Sequence, residues 1–205
     1  VYGDLRWRPH HDATSELVLT ILSQHTSDRL SGQAFSRLLQ RFRDWDDLRT
    51  APVEEIRECI AIGGLAQQKA PRIKAVLEEV RGRTGGYTLD FLASLPLEEA
   101  RAWLRSLPGV GPKTAACVLM FALGRPAIPV DTHVYRVGRR LGLIPPRMNV
   151  DKAHAHVEAR VPPEEAYAFH VGLIRHGRHV CTAQRPRCSE CVLCDLCPSA
   201  LPGAP

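Results

Sequence analysis

Apolar residues recur at helical spacing along most of the chain. Residues 14–22 open on cap-type side chains and then turn apolar all round at Leu17, Val18, Leu19, Ile21 and Leu22, which predicts a buried helix. A polar junction, residues 23–28, starts the next helix, whose apolar side carries Ala34, Phe35, Leu38, Leu39 and Phe42. Residues 52–62 predict a short helix, and Gly63-Gly64-Leu65 breaks the pattern ahead of a basic helix with Lys69, Arg72 and Lys74. Residues 82–86, rich in glycine, end that helix. Residues 98–107 and 114–123 predict helices on either side of a tight glycine hairpin, the second nearly all apolar and so buried on most sides. Beyond Gly124-Arg125-Pro126, residues 131–142, 150–160 and 163–176 predict a further group, punctuated by two Pro-Pro pairs. No segment alternates apolar and polar positions as a strand does, so the pattern predicts an all-α chain.

At 205 residues the chain can bury a substantial core, as one large domain or two small ones. A net charge of +5 is a mild basic excess, consistent with a nucleic-acid partner. No apolar run approaches the length of a membrane span and no stretch reads as a secretion signal, which excludes the membrane classes and makes the cytoplasm the expected compartment.

The hairpin reads Leu107-Pro108-Gly109-Val110-Gly111-Pro112-Lys113-Thr114. Gly109 and Gly111 permit backbone geometries that a Cβ forbids, and Pro112 suits the first turn of a helix. Amides at such a helix start can bind a phosphate whatever the base sequence. Only four residues are lysine (Lys69, Lys74, Lys113 and Lys152), so the one after the hairpin is not compositional noise. At the start of a buried helix the dipole disfavours an ammonium, and a neutral lysine amine is a nucleophile that forms Schiff bases. A phosphate contact or a solvated charge is the plainer role for it. Asp131, just before a helical pattern through Val134, Val137 and Leu141, suits an N-cap. A carboxylate there stays ionised and can also stabilise a developing sugar cation. Gln24 and His25 could enter a DNA groove or simply belong to a helix start. Leu65 could wedge between bases or fold into the core.

Cys181, Cys188, Cys191 and Cys197 follow the spacing Cys-x6-Cys-x2-Cys-x5-Cys, with Cys194 as a competing fifth thiol. Disulfide staples do not suit a chain of this size with Cys59 and Cys117 in apolar helices. Zinc and an iron–sulfur cluster both take four thiolates, and the spacing leaves both open. Arg185 and Arg187 lie in the longest gap between these cysteines, where they could grip phosphate or remain solvated.

The hairpin LPGVGPKTA, then VDTH, then the four-cysteine spacing resemble the endonuclease III family of the helix–hairpin–helix DNA glycosylase superfamily, over nearly the whole chain. The resemblance implies a helical barrel domain, residues 15–125, and an iron–sulfur domain built from residues 1–14 and 126–205, with a cleft between. It implies a bifunctional DNA glycosylase and AP lyase that removes oxidised pyrimidines from duplex DNA and cleaves the abasic strand by β-elimination. Carried over by motif, Lys113 is the nucleophile and Asp131 the catalytic carboxylate. Cys181, Cys188, Cys191 and Cys197 hold a [4Fe–4S] cluster. DNA contacts fall on Gly109, Gly111, Thr114, Gln24, His25, Leu65, Arg185 and Arg187. The expected partner is double-stranded DNA carrying damaged bases or abasic sites, bound by a monomer with no membrane association. His25 stands where the family commonly has Gln or Asn, which bears on lesion preference. A monofunctional glycosylase for mismatched thymine, uracil or adenine, with Lys113 as a phosphate contact, is the rival reading; a non-catalytic DNA-binding module is another.

Overall fold

The structure is a computed structural model, and it describes residues 2–200. Val1 and residues 201–205 of the expected second domain lie outside the described residues. The chain divides into two compact units, Pro9–Arg125 and a second unit from both chain ends, up to Arg8 and from Pro126 on. Among the described residues there are ten α-helices and no strand, and no helix is long and apolar enough to cross a membrane.

The unit Pro9–Arg125 contains α1 (Ala13–Ser23), α2 (Asp28–Arg41), α3 (Trp45–Thr50), α4 (Val53–Ile60), α5 (Ala66–Thr84), α6 (Leu97–Arg105) and α7 (Pro112–Cys117). Short polar side chains start three of these helices by accepting the first free amides. Asp12 takes the Thr14 and Ser15 N–H groups, Ser27 that of Leu30, and Asp44 that of Asp47. The six-residue α3 is too short to show a period in the sequence. Leu17, Leu22, Leu38, Ile60, Ile73, Leu77 and Leu104 have no exposed surface, and α1 packs on α2, α5 and α7. The apolar run after the hairpin is less regular than its composition suggests. α7 ends at Cys117 and continues as one wider π turn, Val118–Ala122, which sets Val118, Leu119 and Met120 all in the core. Residues 9–12 belong with this unit because the His10 amide donates to the Phe121 carbonyl at 3.4 Å and the two rings stack.

The second unit contains α8 (Thr132–Arg140), α9 (Val150–Glu158) and α10 (Ala166–His179). Asn149 caps α9 through the Lys152 amide, and a 3-10 turn, Pro163–Glu165, leads into α10. α8 and α10 pack closely. Gly177 makes that approach possible, since a Cβ there would come within 3.0 Å of the His133 Cβ. Past α10 the described backbone, up to residue 200, makes only turns and 3-10 segments.

Candidate functional site

The hairpin joins α6 to α7. Gly109 has φ of +72°, and its hydrogen faces the Arg72 side chain so closely that a Cβ would sit 2.5 Å from Nε. A larger residue would be strained by the positive φ and would have to push the Arg72 side chain aside. Lys113 is half-buried at the second position of α7, after Gly111 as N-cap and Pro112. Thr114 is buried, so its side chain points into the unit, where its hydroxyl accepts from Gln24 Nε2 at 3.5 Å. What Thr114 can show a phosphate is backbone alone. Gln24 Oε1 accepts from Arg72 Nη1 at 2.8 Å. Gln24 and Arg72 thus link the end of α1, α5 and the hairpin.

His25 and Leu65 are the two described residues other than glycine with positive φ, +53° and +51°. Such conformations cost on the order of 1 kcal/mol or more and gather at functional loops. Leu65 is 44% exposed, so it does not fold into the core. His25 is exposed as well. Lys69, expected on a basic helix face, is instead fully buried. Its ammonium donates to the carbonyls of Leu22 at 2.7 Å and Gly63 at 2.9 Å, and burial lowers its pKa. The charge is tolerated there because orphan carbonyls at the ends of two segments surround it.

The apolar pattern of α1 conceals a buried acid, Glu16, only 5% exposed. Thr20 Oγ1 donates to Oε1 at 3.3 Å, and Oε2 is buried with no hydrogen-bond partner. Burial pushes the acid up to about 7, while the Thr20 bond and the charge of Lys113 pull it down.

Asp131 caps α8, with Oδ1 accepting from the amides of His133 at 2.9 Å and Val134 at 2.8 Å. The cap uses one oxygen and leaves Oδ2 for other work. The preceding segment is fixed by side chains of α9 and α10. The Ile128 amide donates to Glu158 Oε1 at 2.7 Å, and His154 and His170 meet the carbonyls of Ile128 and Pro129 at 3.1 and 2.8 Å.

Cys181, Cys188, Cys191, Cys194 and Cys197 line one cavity with Val137, Leu141 and His176. Successive turns close this loop, with the amides of Cys191, Cys194 and Cys197 donating three residues back to Cys188, Cys191 and Cys194. Arg140 Nη1 donates to Cys181 Sγ at 3.2 Å and to the Thr182 carbonyl at 2.7 Å. His176 Nε2 lies 3.5 Å from Cys191 Sγ, and its Nδ1 is 2.7 Å from the Tyr2 hydroxyl. Burial pushes the Cys191 thiol up, and Cys181, Cys197 and Cys188 add to the shift; Cys194 is raised as well. So many thiols in one place call for cationic charge before they can ionise together. Among the described residues no three such donors converge as closely as a single metal ion requires. Four thiolates from one cavity are the donor set that a [4Fe–4S] cubane takes. Arg187 is committed elsewhere: its guanidinium bonds Glu190 Oε2 at 3.1 Å and the His179 carbonyl. Arg185 is exposed, its carbonyl accepting from the Thr182 hydroxyl at 2.7 Å.

Residues 18–163 match the family described as HhH-GPD superfamily base excision DNA repair protein. The chain is 38% identical over 162 residues to a putative DNA glycosylase of Arabidopsis thaliana, covering 79% of this chain and 55% of that protein. It is 37% identical over 188 residues to endonuclease III of Bacillus subtilis (strain 168), covering 91% of this chain and 82% of that one. A solved structure of a trapped endonuclease III–DNA covalent intermediate, an estranged-adenine complex, superposes with a TM-score of 0.81. Its sequence identity is 33%, over 93% of this chain and 85% of that one. The family match runs through the hairpin, Lys113 and the Asp131 cap alike, and the chain belongs to the HhH-GPD superfamily of base excision DNA repair proteins.

Proposed function

We propose that this chain is a bifunctional glycosylase and AP lyase that excises oxidised pyrimidines from duplex DNA in the cytoplasm, with Lys113 as nucleophile and Asp131 as the assisting carboxylate. The observation that carries the reading is Lys113 at the second position of α7, behind the hairpin, in a chain similar to an endonuclease III trapped covalently on DNA. A damaged base leaves the stack at a cost of a few kcal/mol, less than a sound pair requires. Lys113 Nζ forms a bond to C1′ of the flipped nucleotide while the bond from C1′ to the base breaks. Asp131 stabilises the cationic sugar; its cap bonds to the His133 and Val134 amides hold the side chain in place. The C1′–O4′ bond then opens, the ring oxygen taking up a proton, to give an imine that acidifies C2′–H, and loss of that proton expels the 3′ phosphate. Gly109, Gly111 and the Thr114 backbone hold phosphate at the hairpin, Leu65 fills the gap left by the flipped base, and Gln24, His25 and Arg185 supply the remaining contacts, since the Arg187 guanidinium is held by Glu190 and the His179 carbonyl.

Cys181, Cys188, Cys191 and Cys197 hold a [4Fe–4S] cluster in this reading, supported by the family spacing and by the cavity these thiols line. When bound, the cluster supplies cross-links to a segment with no helix longer than a single turn. Arg140 and His176 orient its thiolates from behind.

Borohydride trapping tests the reaction. Wild-type protein should be captured covalently on duplex carrying an abasic site or an oxidised pyrimidine. Lys113→Gln should lose both capture and strand cleavage while still binding DNA, because the hairpin backbone survives. Capture that persists in Lys113→Gln moves the nucleophile elsewhere. Base release without capture in the wild type makes the enzyme monofunctional.

A further inference from the structure

Glu16 is a buried acid that the reaction above does not use. It is the fourth residue of α1, on a helix whose buried side chains are otherwise aliphatic or uncharged. A buried carboxylate is costly unless hydrogen bonds or a cation answer it. Thr20 answers one oxygen; Oε2 has no hydrogen-bond partner. Of the charged groups on the elements packed against α1, Lys113 is the one whose charge acts on this carboxyl. On α2, Asp28, Arg29, Arg37 and Arg41 are all exposed. On α5, Lys69 is committed to the Leu22 and Gly63 carbonyls, and Arg72 to Gln24. The π turn Val118–Ala122 carries no charge. On α7, which packs against α1, stands Lys113, the cation whose field the carboxyl senses.

We propose that Glu16 is a positioning residue for the nucleophile: its carboxylate takes the proton from the Lys113 ammonium, so that Lys113 meets the sugar as a free amine. The inference rests on Lys113 being the nucleophile. In this step an Nζ–H bond breaks and an O–H bond forms on Oε2, directly or through one bridging water. Lys113 keeps the electron pair that then bonds to C1′. An ammonium and a carboxylate become an amine and an acid, and nothing from outside is consumed. Burial favours this direction, because the neutral pair needs less solvation than the ionic one. An acid whose affinity for protons lies near neutrality gives and takes them with little driving force either way, as a proton carrier must.

Single-turnover borohydride trapping on a preformed abasic site tests it, since base release then drops out. The wild-type rate should rise with pH, with its midpoint near 7. Glu16→Gln should lower the rate at neutral pH about a hundredfold and move the rise to higher pH. Its affinity for duplex bearing a tetrahydrofuran abasic analogue should stay at the wild-type level. Glu16→Asp should recover part of the rate, which a purely structural role would not give. An unchanged rate and midpoint in Glu16→Gln overturns the proposal and leaves the proton to Asp131. If neither variant folds, the wild type decides: a rate flat from about pH 6 to about pH 8 overturns it. Wild-type protein that never traps, or Lys113→Gln that still does, removes the nucleophile assignment itself. Lys113-dependent trapping with no Glu16 effect removes this inference alone.

Discussion

The two units fix their chemical groups by opposite means. In Pro9–Arg125, Lys113 rides on a helix packed against α1 and α6, above a core of fully buried leucines and isoleucines. Around the cysteines there is little comparable core. Val192 is 61% exposed and Leu196 76%, and the backbone is held by Arg140, Arg187 and Thr182 reaching carbonyls. Apolar burial is strong enough to keep an awkward group such as Glu16 inside the first unit. The cysteine segment past α10 has no such reserve, so its order depends on what its thiols bind.

The sharpest way to break this contrast is at a thiol. Cys188→Ser should lose the iron and the visible absorbance and open residues 181–200 to protease, while Pro9–Arg125 stays protected. Cys194→Ser should keep the iron; if it does not, the four-ligand assignment is wrong. Next in size is a core truncation. Leu38→Ala should destabilise the hairpin unit by roughly 2–5 kcal/mol in denaturant titration, with iron content unchanged. Loss of iron there would mean that the cysteine segment leans on the first unit's core.

The smallest effect sharpens the contrast, because it concerns a cost that the apolar unit absorbs. The folded-state acid of Glu16, at about 7, lies above its ordinary value of 4.5, so the folded chain keeps a proton that the unfolded chain releases. The stability this contributes is complete below about 4.5 and drains away as pH rises towards and through about 7. At roughly 1.4 kcal/mol per pH unit the loss is on the order of 3 kcal/mol. Glu16→Gln escapes it, so its thermal midpoint should match the wild type near about pH 5 and exceed it near about pH 8. A gap that does not widen with pH would show that the carboxyl is solvated after all.

Most of the helices were legible because apolar spacing and capping residues agree, as at Ser27, Asp131 and Asn149. The hairpin, the Asp131 cap and the gathering of the cysteines were legible because each is a compact motif. What escaped was polar chemistry inside apolar helices. Glu16 sits in the first turn of α1, where an acid is ordinary, so only its burial gives it away. Lys69 reads as one of three cations of a basic helix and is in fact enclosed. Thr114 reads as a phosphate contact, yet its hydroxyl faces Gln24. Linear spacing also cannot say which four of five thiols act together, because all five line the same cavity.

Lys69 has a consequence for anyone who would re-engineer lesion choice. Its one ammonium grips the last turn of α1, which leads into His25, and the turn that presents Leu65. The two strained loops therefore share an anchor, and neither is an independent module. Grafting the His25 loop of another enzyme without its partner would leave one carbonyl misplaced against a buried cation. A transplant that works must carry residues 22–28, residues 61–65 and the lysine beneath them as one cassette.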